Sequence, residues 1–324
     1  MYESLGYVQL KTGERVEAAA VTGPDPEWAS RVLDLLGHKE GVWTEQNRQA
    51  ITTDLGIDVH FYLLHRDNVP FANVTVTDFA GVGILGHVYT VADDRRKGAA
   101  SLLFDKLMGH VRGRDCKALY LCTEYESPAY RLYERYGFRG IEPNNGAMEW
   151  YAASRGRFDQ WYFADGPAQI ELFAWAHWPA ASPLTMGPWP GMVRCAPQAI
   201  YGRMISENAL LPLVMDNCRR ADNEQPPRGV ALVKPDTGAV VGLAAWTTDD
   251  QPGDACLVDV YCHPQFWSRA GDLLDALSLP DGCAARAQAD DGFEPKRDAL
   301  VAAGFKQVGR STRQSIAVLT FEKA

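Results

Sequence analysis

The chain has 324 residues, too many for one ordinary domain and comfortable for two at about 150 residues each. It is 46% apolar and 23% charged, which excludes intrinsic disorder. A formal net charge of −9 excludes a whole-chain basic footprint for nucleic acid; it favours an amine-bearing partner over a polyanion. No apolar run approaches the roughly 18 residues that would predict a membrane span. The first residues lack the basic-then-apolar pattern of a signal peptide. The seven cysteines show no C-x-x-C pair, so neither a disulfide framework nor a metal site is expected. Cys116, Cys122, Cys256 and Cys262 read as small packed hydrophobes. This usage fits a reducing, cytoplasmic compartment.

In chain order, the apolar residues of 16–21 predict a strand. Asp25 and Pro26 then open a helix to about 36, Asp25 as its cap and Pro26 in its first turn. A weaker helix is expected over 41–55. Strands follow at 59–64, 69–77 and 83–91, with Ala80-Gly81 as the turn between the last two. Ala99, Leu103, Leu107 and Val111 recur every four residues and predict an amphipathic helix over 96–112. A short strand at 118–122 precedes a helix over 127–136, ended by Gly137. Short strands at Phe138 and 148–151 close the half.

The join falls within 152–167, giving domains 1–155 and 156–324. The second half repeats the order: strands at 230–233 and 239–246 around Lys234-Pro235-Asp236-Thr237-Gly238, a strand at 257–262, and a helix at 270–277. A strand at 284–289, a helix at 294–303 and two closing strands at 307–308 and 316–321 follow. Leu102-Leu103 matches Leu273-Leu274, and Gly137-Phe138 matches Gly304-Phe305. The near-constant offset indicates an internal duplication into two domains.

The segment 88–101, VYTVADDRRKGAAS, carries the chemistry. A strand enters a short loop and a helix then begins with Arg95-Arg96-Lys97-Gly98-Ala99-Ala100, where the small residues at 98, 99 and 100 let a ligand approach the backbone. The unpaired N–H groups of a helix N-terminus suit phosphate. Arg95, Arg96 and Lys97 add positive charge. A pyrophosphate fits this combination better than a carboxylate.

After this segment come the strand 118–123 and then Tyr133-Glu134-Arg135-Tyr136-Gly137-Phe138. With Arg95-x-x-Gly98-x-Ala100 before them, the residues resemble the GNAT superfamily of acyl-CoA-dependent N-acetyltransferases. The resemblance is specific over about 80–140. Ala92 stands where the family commonly has proline, and Arg96 and Ala100 where it commonly has glycine. The resemblance implies an α/β fold of two tandem GNAT-like domains, each a mixed, mostly antiparallel sheet flanked by helices. It implies acetyl-CoA as co-substrate, no metal, and a small-molecule or peptide amine as acceptor.

The resemblance also implies roles. The pantetheine arm would lie where two central strands splay near a bulge around 89–91. Tyr89, Thr90 and Val91 would line it, with the backbone of Tyr89 and Val91 as partners. The diphosphate would sit on Arg95, Arg96, Lys97, Gly98, Ala99, Ala100 and Ser101. Tyr133, a phenol protonated at neutral pH, would protonate the departing thiolate. His87 and Glu124 are the candidates for a general base; Asp93 and Asp94 are expected to cap the helix and offset the arginines. The matching positions of the second half are Phe266 for Arg95, Arg269 for Gly98 and Leu300 for Tyr133. That half is therefore expected to have lost acyl-CoA binding. It is left with covering the first cleft, shaping the acceptor site or forming a homodimer. Its Trp- and Pro-rich stretch 173–191 reads as an acceptor-pocket lining or as a packed crossover. The alternative for the whole chain is a non-catalytic acyl-CoA sensor or protein-interaction module.

Overall fold

The computed structural model describes residues 1–248, 255–313 and 315–323. They form two compact units, Met1–Phe158 and Asp159–Ala324. In the first, β1 (Tyr2–Gln9) and β2 (Arg15–Thr22) pair; α1 (Ala29–Leu35) and α2 (Val42–Thr52) follow. Then come β3 (Asp58–Arg66), β4 (Val69–Phe79) and β5 (Val82–Thr90). α3 (Ala99–Gly113) leads to β6 (Ala118–Cys122), and α4 (Pro128–Arg135) to β7 (Arg139–Gly140) and β8 (Ala147–Tyr151). The sheet runs β1-β2-β3-β4-β5-β6-β8-β7. Only β5 and β6 are parallel, because only there does a helix carry the chain back across the sheet.

Strand alternation gives this sheet two cores. Tyr62 and Leu64 pack with α3, whose buried face is the predicted stripe plus Phe104 and Met108. Phe61 and Leu63 pack with Val32, Leu35 and Ile51 of α1 and α2. Ser127 Oγ accepts from the Tyr130 N–H at 3.1 Å and Pro128 occupies the first turn, so α4 starts there. It ends on Gly137 at φ +96, with the Phe138 N–H donating to the Tyr133 carbonyl at 3.2 Å.

α5 (Arg155–Tyr162) spans the join. The second unit contains β9 (Gln169–Leu172), α6 (His177–Ala180), α7 (Ser182–Met186), β10 (Val193–Cys195), β11 (Ile200–Tyr201) and α8 (Ser206–Asp222). It continues with β12 (Gly229–Lys234), β13 (Ala239–Thr248), β14 (Ala255–Cys262) and α9 (Ala270–Asp275). β15 (Ala284–Asp290), α10 (Glu294–Ala302), β16 (Lys306–Arg313) and β17 (Ile316–Lys323) complete it. The sheet order β9-β12-β13-β14-β15-β17-β16 repeats that of β2-β3-β4-β5-β6-β8-β7. Its one parallel pair, β14 with β15, matches β5 with β6. Gly98 and Arg269 each immediately precede the crossover helix. α10 ends like α4, on Gly304 at φ +89 with the Phe305 N–H on the Leu300 carbonyl at 3.0 Å. Two tandem α/β units with mixed, mostly antiparallel sheets are thus present, as expected.

Several expectations need correcting. Cys256 and Cys283 form a disulfide; β14 and β15 pair Cys256 with Ala285, which brings together thiols 27 positions apart. Cys122 is exposed rather than packed. Asp25 does not cap α1, which begins after Trp28; its carboxylate closes the preceding turn onto the N–H groups of Glu27 and Trp28 at 3.1 and 3.2 Å. β1 and α8 have no counterpart in the sequence reading. β1 is a half-exposed edge strand without a clean alternation, and α8 runs through Pro212, a residue that normally ends a helix. The Trp-rich stretch is a packed crossover. Trp178 is buried with Nε1–H on the Glu207 carbonyl at 3.0 Å. The buried guanidinium of Arg194 binds the carbonyls of Thr185, Gly187 and Trp189 at 2.7 to 2.9 Å. No helix among the described residues is long and apolar enough to cross a membrane.

His60, buried on β3, binds Thr22 Oγ1 through Nδ1 at 2.9 Å, while its Nε2 has no partner among the described residues. Burial, aided by the charges of Arg114, His110 and the N-terminus, pushes its imidazole down to about 3. The unfolded chain takes up that proton near pH 6.5. Stability therefore falls as pH drops below about 6.5, by about 1.4 kcal/mol per pH unit from this ring. Urea unfolding of wild type and His60→Gln across that range should show the variant losing stability less steeply; parallel profiles would contradict the assignment.

Candidate active site in the first unit

β5 and β6 pair only between Val82–Ile84 and Ala118–Tyr120. β5 then follows β4 to Thr90, and β6 follows β8 to Cys122. Beyond Ile84 and Tyr120 their facing edges have no strand partner among the described residues, which leaves backbone donors and acceptors along them outside the sheet ladder. On β5, Tyr89 faces Asn73 and Gly86 faces Thr75, so His87 and Val88 stand together opposite Val74 as a bulge. His87 adopts φ +50 there. The bulge was expected at 89–91 and lies two residues earlier.

The backbone partners also differ from expectation. The Val91 N–H donates to the Phe71 carbonyl at 2.9 Å, and Tyr89, in register with Asn73, shares its orientation toward β4. Alternation turns Thr90 to the open side instead, where its carbonyl accepts from Arg95 Nε at 3.0 Å.

After β5 the chain makes a short 3-10 turn, Ala92–Asp94, and reaches Gly98 at φ +88, directly before α3. No side chain caps this helix, so the capping role expected of Asp93 and Asp94 is absent. The opening N–H groups, which no α-helix satisfies internally, come from the small residues Ala99 and Ala100 and from Ser101. Arg95 and Arg96 are exposed beside them. Arg96 sits at φ +65, strained for a side-chain-bearing residue, at one of the positions where the resembled family commonly has glycine.

Asp94 is the anchor of the turn. It accepts from Arg66 at 2.7 and 2.9 Å and from Lys97 Nζ at 2.9 Å, while Arg66 also binds Glu14 at 2.5 and 2.8 Å. The hydrogen bonds from Arg66, with those of Lys97, hold the Asp94 carboxyl down at about 2. Lys97 thus braces the loop. Two cations that the sequence reading missed stand nearby. The Lys11 N–H binds the Lys97 carbonyl at 3.0 Å, and Arg135 on α4 lies 3.5 Å from Ser101 Oγ. Lys11 is 87 positions before Gly98, and no local pattern joins the two.

Tyr133 is 5% exposed, its ring 5.4 Å from Phe104 and 6.0 Å from Phe138. Glu124 is exposed just past β6. The imidazole of His87 lies against Trp43, 5.3 Å between ring centres, with Nε2 2.9 Å from Gln46 Oε1. An amide oxygen only accepts, so Nε2 carries the proton. Burial, with the charges of Lys39 and His38, pushes this ring down to about 3. The premise of a base poised near 6.5 therefore fails for His87.

The second unit treats the same places differently. β14 and β15 pair only to Val258 and Ala287. Where they part, Asp259 accepts from the Ala196 N–H at 2.7 Å, and Asp290 accepts from the N–H groups of Met192 and Val193. The buried Lys296 Nζ lies 2.5 Å from Asp259 Oδ1 and 2.8 Å from the Val193 carbonyl. The chain's own segment Met192–Ala196 is thus bound at the parting. Before α9, Phe266 is buried and Arg269 has φ −98, so there is no left-handed turn like that at Gly98.

A Cβ at Gly98 would meet the Lys11 side chain at 3.5 Å, an ordinary contact, so the cost of substitution is conformational. Gly98→Ala should lose about 1–2 kcal/mol in denaturant unfolding. Gly98→Asn should lose less, because asparagine tolerates the left-handed region. Equal losses would place the strain elsewhere.

Residues 33–138 match the family model described as the acetyltransferase (GNAT) family. Among solved structures, the ribosomal-protein-S5-alanine acetyltransferase from Vibrio fischeri is 12% identical, covering 50% of this chain and 94% of that one at a TM-score of 0.35. The GNAT domain of S. lividans PAT is 12% identical, covering 45% and 96% at 0.36. PaiA N-acetyltransferase from Thermoplasma acidophilum in complex with coenzyme A is 12% identical, covering 41% and 98% at 0.31. Comparison with curated proteins gives no match. Residues 33–138 of the first unit thus match the GNAT acetyltransferase family model, and the second unit repeats the sheet plan of the first.

Proposed function

We propose that the first unit is an acetyl-CoA-dependent N-acetyltransferase, active within 1–155, and that the second, 156–324, binds no acyl-CoA. The observation that carries this reading is the parting of β5 from β6 directly before the left-handed Gly98 turn. A pantetheine arm is a chain of amides. The open side of β5, including Thr90, offers it backbone partners once Arg95 turns from the Thr90 carbonyl to the diphosphate. The N–H groups from Arg96 to Ser101 suit that diphosphate, with Arg95, Arg96, Lys11 and Arg135 as counter-charges and Lys97 holding the loop through Asp94. Bound acetyl-CoA supplies the activated acyl group.

The acceptor is a primary amine on a small molecule or peptide. Its nitrogen attacks the thioester carbonyl carbon directly in a ternary complex. The C–N bond forms, the C–S bond breaks, and the thiolate takes a proton from the Tyr133 phenol. The surplus ammonium proton passes through water to solvent, with Glu124 as the carboxylate acceptor. His87, neutral and hydrogen-bonded to Gln46, positions rather than deprotonates. The burial of Tyr133 among Phe104 and Phe138 favours a second reading, a coenzyme sensor without turnover. The bound segment Met192–Ala196 and Lys296 support the loss of coenzyme binding in the second unit.

Titration calorimetry with acetyl-CoA should give one site per chain, with affinity falling as salt rises. Two sites would overturn the assignment of the second unit, and none would overturn the reading altogether. In a thiol-release assay with an amine panel, Tyr133→Phe should lower kcat by roughly a hundredfold or more with acetyl-CoA affinity unchanged. Binding with no turnover of any amine by the wild type would leave the sensor.

A further inference from the structure

The second unit holds a cavity of about 250 Å³ at the paired end of β14 and β15, and the acyl-transfer chemistry does not use it. Val258, Ala285 and Phe305 form its buried floor, and the half-buried Leu274 and Leu277 flank it. Asp275 and Lys323 also line it and are exposed, so it opens to solvent. Lys323 Nζ lies 5.9 Å from the centre of the Phe305 ring. Among the described residues no ion pair joins Asp275 or Lys323 to another side chain.

The repeat shows why the space is there. β14 and β15 begin to pair at Ala255 and Ala284 as β5 and β6 do at Val82 and Ala118, so Ala285 stands where the first unit has Leu119. Lys323 faces Ala285 as Trp150 faces Leu119. A Cβ on Gly304 would meet Lys323 Cε at 3.7 Å, just as one on Gly137 would meet Trp150 Cδ1 at 3.4 Å. Asp275 follows Leu274 as Phe104 follows Leu103. Leu119, Trp150 and Phe104 are 5% exposed or less and belong to one core. In the second unit, alanine, lysine and aspartate replace these three fillers. α9 also ends at Asp275, whereas α3 continues through the buried Leu107 and Met108. The coil after α9 is tied back to β14 by the Cys256–Cys283 disulfide, and Cys283 forms part of the cavity wall.

The lining defines what fits. An apolar floor with a few charged groups at its edge is the usual make-up of a small-molecule site. A cavity of about 150 Å³ already admits benzene, so this one has room for a leucine-sized side chain. Lys323 offers an ammonium and Asp275 a carboxylate. A free α-amino acid carries the complement of both on one carbon, next to its side chain. A fatty acid would leave Asp275 unmatched, and an alkylamine would leave Lys323 unmatched. We infer that the second unit binds a free α-amino acid with a large apolar side chain. The side chain rests on Ala285 and Phe305, the carboxylate meets Lys323 and the ammonium meets Asp275. This inference goes beyond the acetyltransferase reading and does not depend on it.

The test is calorimetric binding of L-leucine, 4-methylpentanoate and 3-methylbutylamine to the full chain without acetyl-CoA. The two analogues are leucine without its ammonium and without its carboxylate. Leucine should bind about tenfold more tightly than either, the difference one charge-assisted hydrogen bond makes. Lys323→Met should weaken leucine by a similar factor and leave 3-methylbutylamine unchanged. Asp275→Asn should weaken leucine and leave 4-methylpentanoate unchanged. Ala285→Leu, which fills the floor as Leu119 does in the first unit, should abolish leucine binding. A wild type that does not bind leucine, or does not prefer it to both analogues, overturns the inference. So does leucine affinity that survives all three substitutions, the result expected if leucine sat in the first unit as an acceptor amine. If Ala285→Leu fails to fold, the two variants at exposed positions are read against the same outcomes.

Discussion

A sheet that stops pairing in its middle must do something with the backbone groups it leaves open, and both units of this chain face that requirement. Their parallel strands join for three or four residues and then separate. In the second unit, protein fills the demand: Asp259, Asp290 and Lys296 tie the segment Met192–Ala196 to the parting strands. In the first unit no strand pairs with β5 past Ile84 on its β6 side among the described residues, and Arg95 Nε holds the Thr90 carbonyl there. One sheet plan thus carries two partings that the chain lines differently.

The parting in the first unit needs a firm rim. Asp94, fixed between Arg66 and Lys97, holds a loop that must tolerate left-handed backbone at both Arg96 and Gly98. The same ion pairs absorb Lys97 and leave Arg95 and Arg96 exposed. Charge around the turn is thereby divided between Lys97, which holds the loop, and Arg95 and Arg96, which are exposed. Across the sheet the helices α1 and α2 cover a face that is apolar at Phe61 and Leu63 and polar at Asn73 and Thr75. At the polar end Asn73 Nδ2 binds Thr75 Oγ1 and the His87 carbonyl, while its Oδ1 has no partner among the described residues.

Much of this was legible in the residues. The four-residue spacing of Ala99, Leu103, Leu107 and Val111 marked α3, although the helix begins at Ala99, after Gly98, rather than near Arg96. Gly137-Phe138 and Gly304-Phe305 marked matching helix ends. These signals are local, set by helix periodicity and by the backbone freedom of glycine. The register of Thr90, the position of the bulge and the neutrality of His87 were not legible, because each depends on which strand or helix lies alongside. Nor was the disulfide, whose thiols meet only because β14 and β15 pair.

The sequence by itself determined most of the element order, its repetition and the glycine turn before α3, because these follow from spacing, capping and side-chain size within a few residues. Tertiary structure alone decided how each copy lines the parting of its strands, where Lys11 and Arg135 stand relative to Gly98, and that the Asn47 side chain is buried with no hydrogen-bond partner among the described residues. Those outcomes depend on contacts between residues tens of positions apart. Burial and hydrogen-bond satisfaction are settled only when the surrounding chain is in place.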